Sequence, residues 1–300
     1  VLRNPKLVLI TLLSILVFFS YHTKDFKLDA SADSLLLEDD ADLNVFRKIQ
    51  ERYPSSDLLV VTYTPEKDLF SDQALAALKH LREELKQVAS VEMVFTILDA
   101  PLFNTSDLDI REMVNDMPSL EKPGIDRVKA RDELVNSPIY RDFIVSADGR
   151  TSALILELVE NEHHNQLLKS RNKLRAHKRR NSLSAEEARN LKRITAEYDQ
   201  VHAKISAQRH LDISRIRDII EPYRKHGVLY LGGLPMITDD MVTFVRNDLI
   251  VFGGGVLAFL IIILPAIFRK LRWIALPLLS CCYAGLIMIG LLGLIGWKVT

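Results

Sequence analysis

The sequence is short of cysteine, and this limits what can stabilise the molecule. Its 300 residues include two cysteines, Cys281 and Cys282, which are adjacent and lie in an uncharged stretch. The remainder of the chain therefore contains no disulfide, and any folded domain there must depend on a hydrophobic core. A segment of about 220 residues is large enough to form one.

Motifs for catalysis and nucleotide binding are also missing. Neither G-x-G-x-x-G nor G-x-x-x-x-G-K-[ST] occurs, so nothing in this segment predicts bound ATP, and nothing matches the G-x-S-x-G elbow of hydrolases. His163 and His164 lie beside Glu160 and Glu162, but consecutive histidines at a strand-to-helix junction face different ways. We expect them in a solvated loop, and the sequence predicts no enzyme, no cofactor and no metal site.

Charge is absent from three stretches, which predicts membrane-spanning helices. Leu7 to Tyr21 is uncharged over fifteen residues, which is marginal because a span needs roughly 17 to 25. The uncharged stretches Leu249–Phe268 and Trp273–Trp297 are long enough. We assign transmembrane helices to residues 1–22, 247–268 and 273–297. The first has no small-residue cleavage site after it, which favours an uncleaved anchor over a secretory signal.

Basic residues near the predicted spans indicate their orientation. Two of them, Arg3 and Lys6, precede the first span. Three more fill the short turn between the second and third spans: Arg269, Lys270 and Arg272. Under the positive-inside rule both sets lie in the cytoplasm, so residues 23–246 are expected outside. Three spans suggest part of a larger bundle, and we expect the chain to continue beyond residue 300.

The external region begins with a predicted β-α-β unit. The β-branched runs "DLLVVTY" (57–63) and "VEMVFTIL" (91–98) flank an amphipathic helix that Ser71 can cap. A second helix is predicted from Ile125 to Asn136, and Asp148-Gly149 in "RDFIVSADGRTSALILELV" predicts a hairpin. With a last strand at 228–231, this order predicts a ferredoxin-like, split β-α-β sandwich.

Residues 163–226 are predicted to form a helical-hairpin arm inserted into this domain. Apolar residues recur by three and four from Leu191 to Ile205 and resume out of phase at Ile213. Ser184 with Glu187 forms a capping-box pattern that starts the second arm helix. The arm holds 7 acidic and 16 basic residues, a balance of +9, whereas residues 25–162 hold 29 and 15, a balance of −14. A basic arm could contact anionic lipid or an acidic partner, although a solvated face rich in good helix formers is the favoured alternative.

The last strand leads into "GGLPMITDDMVTFVRNDLIVFGGG", where an acidic helix joins an uncharged run without a linker. Apolar residues fall every four positions from Ile237 to Leu249, so one helix is predicted from about Pro235 to Phe268. At roughly 50 Å it exceeds a hydrocarbon core of about 30 Å, and its first turns must stand outside. Asp248 lies at the predicted membrane boundary. It is either an interfacial carboxylate exposed to water or a functional gate. The candidate coupling and hinge residues are Asp248, Gly253, Gly254 and Gly255.

The arrangement resembles the amino-terminal half of an MMPL-type exporter of the resistance-nodulation-division superfamily. The segments that carry the resemblance are "LDASADSLLLEDDADLNVFRKIQERYPSSDLLVV", which includes a predicted short helix at 39–52, and "LYLGGLPMITDDMVTFVRNDL". Members have two such repeats in the bacterial inner membrane, with periplasmic domains, and use the proton gradient to export hydrophobic or amphiphilic, lipid-like or drug-like molecules. Their acidic relay lies in a later span, beyond Thr300.

The resemblance also implies partners: the lipid bilayer, an amphiphilic substrate, and a homo-oligomer or an accessory envelope protein, but no nucleic acid. A different class of function remains open. The chain could be a membrane-anchored binding or scaffold protein in which the basic arm recruits an external partner. The length of the open reading frame separates the two, because three spans cannot build a two-repeat transporter.

Overall fold

The computed structural model describes most of the chain in two compact units. The described residues are 5–26, 45, 49, 57–103, 118–180, 183–268 and 271–296. One unit comprises Tyr53–Asp239, and the other combines Val1–Arg52 with Asp240–Thr300. The predicted short helix at 39–52 lies outside the described residues except for Val45 and Ile49, which are helical.

Among its described residues, the unit Tyr53–Asp239 has a four-stranded antiparallel sheet, four α-helices and the start of another. The strands are β1 (Leu58–Pro65), β2 (Val91–Phe95), β3 (Ser152–Leu158) and β4 (Gly227–Gly232). The helices are α2 (Asp72–Leu85), α3 (Arg127–Asn136), α4 (Glu162–Arg180) and α5 (Ala185–Ile220). The long helix α6 (Leu234–Phe268) begins in this unit.

The strand order is β2-β3-β1-β4, with antiparallel pairing throughout. Since β3 is antiparallel to both neighbours, β1 and β2 run parallel to each other with β3 between them. This is the split β-α-β arrangement predicted from the order of elements. Residues alternate across the sheet, so that Val61 and its partner Leu154 are fully buried while Thr62 and Tyr230 lie on the opposite face.

The predicted hairpin before β3 is confirmed in its turn but not in its first strand. The amide of Ser146 donates to the carbonyl of Thr151 at 2.9 Å, and Val145 pairs with Ser152 only as an isolated bridge. The segment "RDFIV" coils because the Tyr140 carbonyl accepts bonds from the amides of residues 143, 144 and 145. Asp142 has a φ of 61°, which breaks an extended strand.

The hydrophobic core lies between one sheet face, α2 and the last turns of α5. The apolar stripe predicted for α2 is buried from Leu75 to Leu85, and Ser71 caps the helix by accepting from the Ala74 amide at 3.3 Å. Ile213, Ile216 and Ile220 of α5 belong to the same core. The chain 163–226 is therefore not wholly an inserted arm, since its end supplies the second helix of the sandwich.

A separate apolar cluster joins α4 to the first half of α5. Leu167 packs there with Ile194 and Tyr198. The apolar pattern of α5 therefore changes phase for a physical reason. The apolar side chains of its first half face α4, and those of its last turns face the β-sheet and α2, which form the sheet domain. The capping box at Ser184 is confirmed, with the Glu187 amide donating to Ser184 and the Glu187 carboxylate accepting from the Ser184 amide.

The other unit contains α1 (Pro5–His22), most of α6 and α7 (Leu271–Ile295). Two stretches, Leu234–Ile267 and Ala275–Ile295, are long and apolar enough to cross a membrane by length and composition, whereas Lys6–His22 is shorter. The unit therefore contains two candidate spans and a shorter apolar helix.

Helices α1 and α7 pack closely and in parallel. The Tyr283 hydroxyl donates to the carbonyl of Leu12 at 3.3 Å. A Cβ placed on Gly290 would lie 2.1 Å from the Phe19 carbonyl oxygen, and one on Gly293 would lie 2.2 Å from that of His22. Because the contacts advance together along both helices, the helices run in the same direction. Glycine at these two positions allows the backbones to meet, as small residues do where membrane helices pack closely.

Candidate functional site

The most constrained part of the long helix α6 is its start, where the sheet domain holds it. Gly233 joins β4 to α6 with a φ of 122°, a conformation that residues with a Cβ rarely adopt. A Cβ there would also lie 2.6 Å from the Leu58 carbonyl oxygen and 3.1 Å from the Cα of Leu59. The entry to α6 thus requires glycine, both for its conformation and for the close approach of β1.

Two further contacts fix the first turns of α6. Met236 packs against the main core. The Asp239 carboxylate meets Nδ1 of His210, on α5, at 2.9 and 3.0 Å. The Asp239 side chain is only 14% exposed, whereas that of His210 is 52% exposed. The start of α6 is therefore held to both the core and the last third of α5.

The predicted coupling and hinge residues lie further along the same helix. The structure places Asp248 and the three glycines 253–255 within an unbroken α6 that ends at Phe268. All four residues are exposed, and nothing lies within 4 Å of a Cβ built on any of the glycines. The single helix predicted from about Pro235 to Phe268 is confirmed to within one residue. The roles of Asp248 and the glycines as gate or hinge stay predictions.

A second cluster of polar and aromatic side chains lies between α4 and α5. It consists of His164 on α4 and Tyr198 and His202 on α5, whose rings stack with centroids 4.9 to 5.4 Å apart. Nε2 of His164 lies 3.2 Å from Nδ1 of His202, and the Arg171 guanidinium lies 3.9 Å from the centre of the Tyr198 ring. We refer to these residues as the seam cluster.

The predicted solvated loop for His163 and His164 is wrong. Both lie in the first turn of α4, where the Asn161 side chain accepts from the His164 amide at 2.9 Å. His163 lies 3.3 Å from Glu197 on α5, and His164 is half-buried in the seam cluster. The helix begins earlier than expected because Asn161 caps it, and antiparallel α5 then covers one histidine.

Burial is the main influence on His164. It lowers the pKa of the imidazole, and the charges of Arg209 and Arg171 lower it further. A hydrogen bond from the imidazole to the Asn165 side chain and the charge of Asp57 raise this pKa and act in the opposite direction. Arg209 itself pairs with Asp57 at 2.7 Å. The seam cluster thus favours a neutral His164.

The chemistry available to these sites is limited. Within the described ranges, no group of three or more His, Cys, Asp or Glu side chains is placed to hold a metal ion. A hydrogen bond between two imidazoles requires one donor and one acceptor, so it cannot persist when both rings are protonated. The seam cluster is therefore suited to holding α4 on α5.

A buried arginine network joins α2 to the segments that follow β2. Arg82, on α2, is 4% exposed and donates to Asp99 at 2.6 Å and to Glu121 at 2.8 Å. Asp99 also accepts from the amide and hydroxyl of Thr96 at 3.0 Å. The network connects α2 to the loop after β2 and to the segment around Glu121, and its function is structural.

Local sequence patterns predict few of the contacts in the seam cluster or between His210 and Asp239. The spacing of Tyr198 and His202, four residues apart on a predicted helix, is the one local signal for the seam cluster. The pairing of His210 with Asp239 joins residues far apart in sequence and has no local pattern. Comparison with protein-family models and with curated proteins finds no match to this chain.

Proposed function

We propose that this chain is the amino-terminal part of an integral membrane exporter of the MMPL type in the resistance-nodulation-division superfamily. Its substrates would be hydrophobic or amphiphilic molecules, and the proton gradient would supply the energy. The observation that carries the proposal is helix α6, 35 residues long. It starts within the folded sheet domain, anchored at Gly233 and Asp239, and continues without a break into an apolar stretch of membrane-spanning length.

The parallel packing of α1 and α7 supports a multi-pass topology. Two spans of the same direction need a return crossing between them, and α6 is long and apolar enough to provide it. Together with the basic residues before α1 and between α6 and α7, this favours the inner membrane with residues 23–246 outside. In this proposal the helices belong to a larger transmembrane bundle, and the sheet unit is a ferredoxin-like periplasmic domain.

A continuous helix gives the proposed exporter a mechanical connection. Movement of the transmembrane bundle would tilt or shift α6, and the fixed start of α6 would pass that movement to the sheet domain. Asp248 would mark the boundary, and Gly253, Gly254 and Gly255 would allow bending just inside the membrane, since helices bend where glycine lowers the cost. No step requires a cofactor.

Export measured in membrane vesicles tests the proposal. The full-length protein is reconstituted, and efflux of a fluorescent amphiphile is followed with a proton gradient and after an uncoupler has removed it. We expect efflux that depends on the gradient. Efflux at the same rate without a gradient, from vesicles shown to contain the intact chain, would contradict proton coupling, and no efflux in either condition would contradict export.

A membrane-anchored binding or scaffold protein is the second candidate. The charge of helix α4 favours it, because residues 169–180 contain seven Lys and Arg and no acid. A surface of this kind is suited to recruiting an anionic partner. The reading frame separates the candidates: a natural chain that ends near residue 300 favours the scaffold, and one that continues into further spans favours the exporter.

A further inference from the structure

Helix α4 has a large excess of basic over acidic side chains. After Glu162, at its first position, every charged residue of the helix is basic through Arg180. Lys169 and Lys173 are exposed and lie one turn apart, on the side away from buried Leu167 and Arg171. Like charges at this spacing destabilise a helix by a few tenths of a kcal/mol.

Helix propensity alone does not account for this composition. Glutamate is about as good a helix former as lysine, so selection for helicity would place both. The antiparallel partner α5 follows that expectation, because it mixes acids with bases and contains the pair Arg193–Glu197 at i, i+4. Of these two helices, α4 alone has the all-basic composition.

Neighbouring acids do not compensate the exposed lysines. In the part of the chain that the structure describes, no ion pair is made by Lys169, Lys173 or Lys178. Two acidic side chains of α5 contact histidines of α4 and not these lysines: Glu187 contacts His177 at 3.0 Å, and Glu197 contacts His163 at 3.3 Å. The exposed side of α4 thus presents positive charge to whatever lies next to it.

We propose that this side of α4 binds the headgroup layer of anionic phospholipids. Lysine ammonium groups are flexible point charges, which suits a fluid layer of phosphates that offers no fixed geometry. The chain also contains two candidate spans, so a bilayer is tethered to the same molecule at high effective concentration. The inference rests on the proposed membrane location, and it does not depend on transport.

Lysine labelling of the full chain in nanodiscs tests the proposal. Discs that hold one copy are made from phosphatidylcholine alone or with phosphatidylglycerol, and labelling by an amine-reactive reagent is followed residue by residue by mass spectrometry. We expect Lys169 and Lys173 to react about fivefold more slowly in the anionic discs, corresponding to about 1 kcal/mol per lysine. High salt should remove the difference. Lys129, exposed on α3, is the internal control and should react equally in both discs.

A matched pair of variants strengthens the test. The double variant Lys169→Gln, Lys173→Gln keeps the helix propensity of α4 and should co-purify with fewer anionic lipids than the wild type. The control double variant Lys67→Gln, Lys129→Gln should co-purify with as many anionic lipids as the wild type. Equal labelling in the two kinds of disc would overturn the proposal. Discs loaded with two copies give a second outcome that would overturn it. If the lysines are protected only in those discs, and in either lipid, then the acidic residues 25–162 of the second copy are the partner. A chain that fails to enter discs at all would instead contradict the membrane location.

Discussion

The contact between α1 and α7 depends on Gly290, and replacing this residue by alanine should separate the two helices. The new Cβ would lie 2.1 Å from the carbonyl oxygen of Phe19 and 2.6 Å from its carbonyl carbon. Ordinary van der Waals contact begins at 3.4 Å. The atoms that would be struck belong to the backbone and cannot rotate away, so α1 must move as a whole.

The magnitude follows from two opposing effects. Overpacking that forces a backbone shift costs about 1 to 3 kcal/mol, while Gly→Ala in a helix contributes up to about 1 kcal/mol of stabilisation. The net loss at Gly290 should therefore reach about 1 to 2 kcal/mol. Gly293→Ala meets the His22 carbonyl at 2.2 Å and should act similarly. The double variant should cost less than the sum, because one shift of α1 relieves both clashes.

Chemical cross-linking reports this contact directly. The starting chain has serine in place of Cys281 and Cys282. Cysteines then replace Tyr283 and Leu12, because the Tyr283 side chain meets the Leu12 carbonyl across the two helices. A short bismaleimide should link them efficiently, and Gly290→Ala should lower the yield at early times by up to about tenfold, as 1.4 kcal/mol corresponds to a factor of ten. Gly285→Ala is the matched control, because nothing lies within 4 Å of its Cβ. Equal yields for all three chains would refute the close packing of α1 on α7.

Three other substitutions test the unit Tyr53–Asp239. Arg82→Met should lower the free energy of unfolding in urea by about 3 kcal/mol, because it removes the buried cation that pairs with Asp99 and leaves Glu121 with Lys79, at 3.2 Å; a loss below about 1 kcal/mol would contradict the network. His164→Phe keeps the ring but cannot titrate. Since burial lowers the His164 pKa, its neutral form contributes stability that is complete above the ordinary value of 6.5 and is lost as pH falls below it. The urea midpoint should thus fall less on acidification in the variant than in the wild type. An identical fall would show that His164 does not contribute to the loss of stability at low pH. Gly233→Ala should destabilise the unit by about 1 to 3 kcal/mol, and an unchanged urea midpoint would show that its φ and close contact are not required.

Local sequence patterns predicted the elements whose causes are local. Ser71 and Ser184 were identified as caps from their own neighbourhoods, and both make the expected bonds. The order of strands and helices predicted the split sheet, because few topologies connect such elements. The long helix α6 was predicted from an apolar stripe that continues past its last charge.

Other features depended on contacts between distant residues. The segment before β3 has the composition of a strand, but Asp142 adopts a left-handed conformation and Tyr140 closes a turn. The sequence predicts a loop for His164, because the side chains that bury it, Tyr198 and His202, come from another helix. Likewise, the phase shift in α5 was visible, but its meaning required knowing that Ile213 faces the sheet domain.

The proposed role of α6 as a rigid connection is tested most directly by insertion of four residues after Arg246 in the full-length protein. Four alanines lengthen the helix by about 6 Å, or about one turn, and preserve its stiffness, whereas four glycines make it flexible at the same length. With both variants present in the membrane at wild-type levels, we expect gradient-driven efflux to persist with alanine and to be lost with glycine. Wild-type efflux with the glycine insertion would contradict the proposed connection.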